Sequence, residues 1–253
     1  MNQVPPTMNI AKIGTGTIQI IWAHGWSMDN NAFAPFAQTF TGMATSYLPD
    51  LAGHGKTPEP PAPWTTREYA DALAAWLQTL PPATKRIWVG HSFGCRVGLQ
   101  LAAHHKGLFN GMVLVGPAGL KRNRPLTQKI WFWAKVYAFK TLKIFVPEGP
   151  ARDKLRARFG SADYKRASGT MRRVLINAVN EDLGPEAEMV TCPTVLVCGS
   201  HDTETPPEIS RRLQQKIKGA ELHILDGYDH YTILTAGRHQ VAALVKSLMD
   251  KPA

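Results

Sequence analysis

The pentapeptide Gly90-His91-Ser92-Phe93-Gly94 stands between a short apolar run, Arg86-Ile87-Trp88-Val89, and a helix-like stretch from Cys95 to His104. That order predicts a strand, a turn too sharp for side chains at its shoulders, and then a helix. Glycines two residues before and after Ser92 omit the Cβ atoms that would collide with the backbone of such a turn. The turn would lift the Ser92 hydroxyl clear of a sheet. It would also leave the Phe93 amide at a helix N-terminus, facing the same space. A Gly-x-Ser-x-Gly pattern alone is common in loops, so the flanking strand and helix are what give it meaning.

A serine is a weak nucleophile without a base. The chain has nine histidines. His104 and His105 close a helix, His54 lies in the turn Leu51-Ala52-Gly53-His54-Gly55, and His223 and His239 fall in a strand and a helix. His230 differs, because it follows the apolar strand Ala220 to Leu225 in the turn-rich loop Asp226-Gly227-Tyr228-Asp229-His230-Tyr231. A carboxylate should orient it. Asp202 follows another apolar strand, Thr194 to Gly199, in Gly199-Ser200-His201-Asp202. The rivals Asp226 and Asp229 are so close in sequence to His230 that turn shaping is their expected role. The loop after the strand Met112 to Val115 reads Gly116-Pro117-Ala118-Gly119 and holds no carboxylate. Ser92, Asp202 and His230 are therefore the candidate nucleophile, orienting acid and base.

Near the N-terminus, the strand-like run Thr17 to Ala23 ends in His24-Gly25-Trp26-Ser27. A glycine there admits a substrate carbonyl, and the Trp26 amide would pair with the Phe93 amide as an oxyanion hole. His24, Gly25, His91, Tyr231 and Trp131 are expected to border the substrate.

With these residues in order, the chain resembles the α/β-hydrolase superfamily, in its cap-containing branch. The resemblance runs from the His24-Gly25-Trp26 loop to the last helix. It includes Asp50-Leu51-Ala52-Gly53-His54-Gly55-Lys56-Thr57, similar to the Asp-x-x-Gly-His-Gly-x-Ser/Thr turn of many members. Two departures are Cys95 where a third elbow glycine is usual, and Ser27 where glycine is frequent. The resemblance implies an α/β fold with a mostly parallel sheet covered by helices on both faces. It implies a hydrolase core at 1–118 and 190–253, with a helical cap inserted at 119–189.

Composition agrees with one such domain. A chain of 253 residues can bury about 70–75% of its unfolded surface, and apolar runs alternate with amphipathic stretches such as Asp71 to Leu80 and Ile209 to Ile217. There is no signal-peptide pattern and no apolar stretch long enough to span a bilayer. Three cysteines, Cys95, Cys192 and Cys198, suit free buried thiols in a cytoplasmic protein. No cluster of ligand residues implies a metal, and no cofactor is expected.

The charge is uneven. Residues 121–173 hold fifteen Lys or Arg against three acids, a net +12 in a chain of net +10. Arg152 with Arg156, and Lys154 with Arg158, are spaced i,i+4, and Arg172 and Arg173 follow. Two readings stay open: a solvated helical face, or a docking surface for an acidic partner. An acyl-carrier protein seated there, on Arg152, Arg156, Arg158 and Arg172, would feed a tethered ester to Ser92. The basic segment and the His-Gly-Trp loop are similar to those of the pimeloyl-acyl-carrier-protein methyl ester esterases. No nucleic-acid motif accompanies the charge. The aromatic run Trp131 to Tyr137 suits the roof of an apolar acyl site, or contact with an anionic membrane surface.

The expected function is a serine hydrolase of carboxylic esters, a carboxylesterase working through an acyl-enzyme. One alternative is carbon–carbon bond hydrolysis, as in the meta-cleavage product hydrolases. Another is a slow ligand sensor on the same fold. Haloalkane and epoxide chemistry are disfavoured because they need Asp where Ser92 stands.

Overall fold

The computed structural model describes residues 7–123, 137, 141, 146, 149 and 162–251. The predicted site residues Trp131, Arg152, Arg156 and Arg158 lie outside the described residues.

Among the described residues the strands are β1 (Ile10–Ile13), β2 (Ile18–Ala23), β3 (Ala44–Pro49), β4 (Lys85–His91), β5 (Gly111–Val115), β6 (Thr194–Gly199) and β7 (Glu221–Leu225). They form one sheet in the order β1-β3-β2-β4-β5-β6-β7. Every neighbouring pair is parallel except β1 with β3. That antiparallel edge was not legible in the sequence, because β1 is a four-residue strand with no fully buried residue. The helices are α1 (Ala34–Thr39), α2 (Thr66–Leu77), α3 (Phe93–His104), α4 (Ala162–Arg166), α5 (Gly169–Asn180), α6 (Gly184–Met189), α7 (Pro207–Lys216), α8 (Thr232–Thr235) and α9 (Arg238–Asp250). Helix α2 starts three turns' worth of residues with a capping box, in which Thr65 and Glu68 satisfy each other's backbone amides.

The buried strands read as near-continuous apolar runs because both sheet faces are covered. Period-two alternation then sorts their side chains. Ile20 and Trp22 of β2 join the core on one face with Phe33, Phe36, Phe40 and Val245. Ile21 and Ala23 join the other with Leu73, Trp88 and Leu101. The Trp22 ring lies 5.2 Å from Phe33 and 5.7 Å from Phe36, centroid to centroid.

Four parallel strands deliver the candidate residues to one edge. β2 runs into His24-Gly25-Trp26, β4 into Ser92, β6 into Asp202 and β7 into His230. This is the carboxyl end of the strands, where open α/β sheets place their ligands. The chain leaves the sheet after β5 and returns at β6, and the Leu183 amide donates to the Gly119 carbonyl at 2.8 Å. Helices α4 and α5 lie inside that closure, whereas α6 follows it and packs against α3 and α7.

The turn between β4 and α3 requires close backbone approach. A Cβ on Gly94 would stand 2.1 Å from the Ala23 carbonyl oxygen, and one on Gly90 would stand 2.6 Å from that of Gly94. A Gly42 Cβ would meet nothing within 4 Å. Gly94→Ala is therefore expected to cost about 3 kcal/mol or more, against about 0.5 kcal/mol or less for Gly42→Ala. Urea unfolding of the two variants beside the wild type measures the difference.

Candidate functional site

Ser92 occupies the tip of this turn with φ 49° and ψ −103°. A non-glycine residue in that region is strained, and such strain concentrates at functional positions. Two hydrogen bonds hold it there: the Ser92 amide donates to the Val115 carbonyl at 3.0 Å, and the Cys95 amide donates to the Ser92 carbonyl at 3.0 Å. Cys95 fills the place of the usual third glycine without crowding. Its thiol is fully buried and lies 3.2 Å from the Gly90 carbonyl and 3.3 Å from that of Val115. Burial pushes the thiol pKa well up, so it stays protonated and inert.

His230 Nδ1 lies 2.7 Å from Asp202 Oδ2, and both residues are buried. The carboxylate accepts there, so Nδ1 carries the proton and Nε2 is left with a lone pair. Asp202 is fixed in turn. Its Oδ1 accepts from the Glu204 amide at 2.9 Å and the Thr205 amide at 2.7 Å, and its Oδ2 lies 3.0 Å from Thr205 Oγ1. Sequence reading missed Thr205, although an Asp followed by donors two and three residues on is an Asx-turn signal. The rivals have other tasks. Asp229 accepts from the Tyr231 and Thr232 amides at 2.9 and 2.7 Å, and Asp226 accepts from Ser200 Oγ at 2.9 Å.

Ser92, Phe93, Trp26, Gly25, His91, His230 and Tyr231 border one cleft. Arg96, Asp163, Leu175, Ala178, Val179 and Glu204 border it too, and none of these six was named from the sequence. Arg96 had a signal, because it stands one helical turn beyond Ser92 on the same face. Neither the Trp26 nor the Phe93 amide donates to a protein acceptor among the described residues. Their side chains meet edge to face at 5.3 Å, with His54 packed 4.8 Å from Trp26 and Tyr69 5.1 Å from Phe93. Tyr231 stands exposed at the rim, its ring 5.2 Å from that of His230.

His24 lies elsewhere than expected. It is fully buried behind the cleft, with Nδ1 donating to the Gly25 carbonyl at 2.8 Å and Nε2 accepting from the Leu51 amide at 3.0 Å. With both nitrogens engaged, it ties the loop after β2 to the turn after β3, and no atom remains for a substrate. His91 lies beside the candidate base, its ring 4.7 Å from that of His230. Its Nε2 donates to the His230 carbonyl at 3.0 Å, and its buried Nδ1 has no partner. Arg172, expected at a docking surface, is half-buried. Its guanidinium lies 5.5 Å over the Tyr164 ring.

Burial sets the protonation of the supporting histidines. It lowers the pKa of His54 to about 4, helped by His24, and that of His91 to about 3, helped by His230. His24 is lowered too, for the same reason. Among the described residues no group of three or more His, Cys, Asp or Glu could hold a metal, and no helix is long and apolar enough to cross a membrane.

The profile of the alpha/beta hydrolase family matches residues 20–244. The chain is 26% identical to the pimeloyl-[acyl-carrier protein] methyl ester esterase of Chromobacterium violaceum, over 94% of this chain and 97% of that one. It is 24% identical to the 2-(acetamidomethylene)succinate hydrolase of Mesorhizobium japonicum, over 89% and 85%. Its fold is similar to that of an esterase from Exiguobacterium antarcticum, with a TM-score of 0.74 and 20% identity over 97% of this chain and 96% of that one.

Because His54 and His91 stay neutral in the fold, the unfolded chain binds more protons below its histidine pKa of about 6.5. Their contribution to stability is complete above that pH and is lost as pH falls toward the folded values. Stability should drop by about 2 kcal/mol per such histidine between pH 7.5 and 5. Urea midpoints at pH 7.5 and 5.0 test this, and His54→Gln should flatten the dependence.

Proposed function

The chain belongs to the alpha/beta hydrolase family, and we propose that it hydrolyses carboxylic esters through an acyl-enzyme on Ser92. The observation that carries this reading is the 2.7 Å contact between Asp202 and His230 Nδ1, which leaves Nε2 free at the cleft that Ser92 borders.

His230 Nε2 takes the Ser92 hydroxyl proton as Oγ bonds to the ester carbon. The carbonyl oxygen becomes an alkoxide held by the Trp26 and Phe93 amides, which donate to no protein acceptor among the described residues. The carbon–oxygen bond to the alcohol then breaks, and the leaving alkoxide takes the proton from His230. Water repeats the sequence on the acyl-enzyme, losing a proton to Nε2, and the acid departs as Ser92 recovers its hydrogen. Thr205 and the Glu204 amide hold Asp202 so that the imidazole keeps one tautomer and one orientation.

The segment closed by the Gly119–Leu183 hydrogen bond acts as the cap, with Leu175, Ala178 and Val179 of α5 forming an apolar side of the cleft. A second reading keeps the same chemistry and presents the ester on an acidic carrier protein. The net +12 of residues 121–173 favours it, as does the likeness to an esterase named for a carrier-borne substrate. Carbon–carbon hydrolysis of meta-cleavage type would use the same groups and remains the competing reaction class.

Hydrolysis of p-nitrophenyl esters with two- to sixteen-carbon acyl chains tests the reading. Activity should peak at one length. Ser92→Ala should lower kcat on the order of 10⁶-fold, and Asp202→Asn about 10⁴-fold through loss of the correct tautomer. A folded wild-type protein that cleaves no ester, or a Ser92→Ala variant of undiminished rate, overturns it.

A further inference from the structure

Among the described residues Arg96 is the cationic side chain on the wall of this cleft. It follows Ser92 by four residues on α3, about 6 Å along the helix axis. Of its five N–H donors, Nη1 reaches a protein acceptor, the Glu181 carbonyl at a long 3.4 Å. Among the described residues it forms no ion pair within the usual 4.0 Å. The carboxylates that act on it from a distance are those of Glu181 and Asp182. Both are engaged elsewhere: Glu181 accepts from the Thr66 amide at 2.9 Å and from the Thr66 hydroxyl, and Asp182 accepts from the Gly184 amide at 3.2 Å. Burial lowers the Arg96 pKa, yet a guanidinium stays charged in proteins.

A partly buried cation with no close ion pair among the described residues is costly. Its remaining nitrogens are not sealed in protein, since none is among the buried polar atoms that lack a partner. Among the described residues the rest of the cleft wall holds the opposite charge, on Asp163 and Glu204, which act with Asp202 and against Arg166 on Tyr231 at the rim. Among the described residues the cleft wall is therefore bipolar, with Arg96 on the α3 side and Asp163 and Glu204 on the Tyr231 side.

We propose that Arg96 recognises a carboxylate carried by the substrate, so that the preferred ester is a monoanion bound with its charged end along α3. This rests on the esterase reading above and narrows its substrate class. A planar guanidinium fork matches two carboxylate oxygens. A monoanion suits one cation, whereas a phosphate dianion would leave a charge uncompensated near Asp163 and Glu204. The acidic groups at the other end repel the same carboxylate, which fixes the direction in which the substrate lies.

The test compares charged and neutral esters of equal length. One probe series places the carboxylate on the acyl half, as p-nitrophenyl hemiesters of four- to eight-carbon diacids beside p-nitrophenyl esters of matching monoacids. The other places it on the leaving group, as 4-carboxyphenyl acetate beside phenyl acetate. Wild-type kcat/KM should favour the anionic probe in one series. Arg96→Gln, which keeps a donor for the Glu181 carbonyl but no charge, should lower that preference on the order of 10–100-fold, chiefly through KM. Arg96→Lys should restore part of it. No preference in either series, or equal losses on charged and neutral probes, would make Arg96 a tether for α5 and overturn the proposal. A wild type that cleaves no ester defeats the esterase reading instead. The anion site is then read by calorimetric binding of monomethyl glutarate and neutral dimethyl glutarate to Ser92→Ala. Saturable binding of the anion alone, abolished by adding Arg96→Gln, upholds it, and its absence sinks it.

Discussion

A Gly94 Cβ would stand 2.1 Å from the Ala23 carbonyl oxygen, and a Gly90 Cβ 2.8 Å from the Trp88 indole nitrogen. These two missing atoms let α3 begin directly over the ends of β2 and β4. The same contact brings the loop after β2, with Trp26, beside the Phe93 amide. Everything proposed about chemistry follows from that approach. With bulkier shoulders the helix would have to lift away, and Ser92 would lose the backbone conformation that raises it from the sheet.

Beside and behind the cleft lies a layer of buried imidazoles that do no chemistry in the proposed mechanism. His24 links the loop after β2 to Leu51, His54 packs between Trp26 and Phe93, and His91 holds the backbone of His230. Each is neutral because its surroundings are too dry for charge. A neutral imidazole is both donor and acceptor, which lets one small ring join two loops. These side chains fix where the reactive groups stand, and polar residues of this kind are what an apolar core cannot supply.

The segment between β5 and β6 holds the chain's excess of positive charge. It is closed by the hydrogen bond between Gly119 and Leu183, and α5 reaches back to the rest of the fold in several places. Met171, Val174 and Ala178 are buried in the main core, Asn177 donates to the Pro63 carbonyl at 3.0 Å, and Arg96 touches the carbonyl that ends the helix. The described part of this segment is thus joined to the rest of the fold by both apolar packing and hydrogen bonds. Helix α5 presents an apolar wall to the cleft at Leu175 and Ala178, while charge enters at Arg96, Asp163 and Glu204.

Local sequence determined the α/β architecture, because buried parallel strands are short apolar runs and surface helices repeat every 3.6 residues. It also singled out Ser92, Asp202 and His230, since each follows a strand whose carboxyl end opens on the same edge of the sheet. Asp226 and Asp229 could be set aside because an acid that near a turn is used by the turn, as Asp229 is. Other features depend on residues far apart in the chain meeting in space. Only the tertiary structure turned His24 inward to Leu51, set Thr205 on Asp202, laid Arg172 on Tyr164, and left Arg96 facing the cleft with its neighbouring carboxylates engaged elsewhere. The periodicity of a chain fixes which face a side chain occupies, but a hydrogen bond or an unpaired charge is a property of two distant segments, and folding alone brings them together.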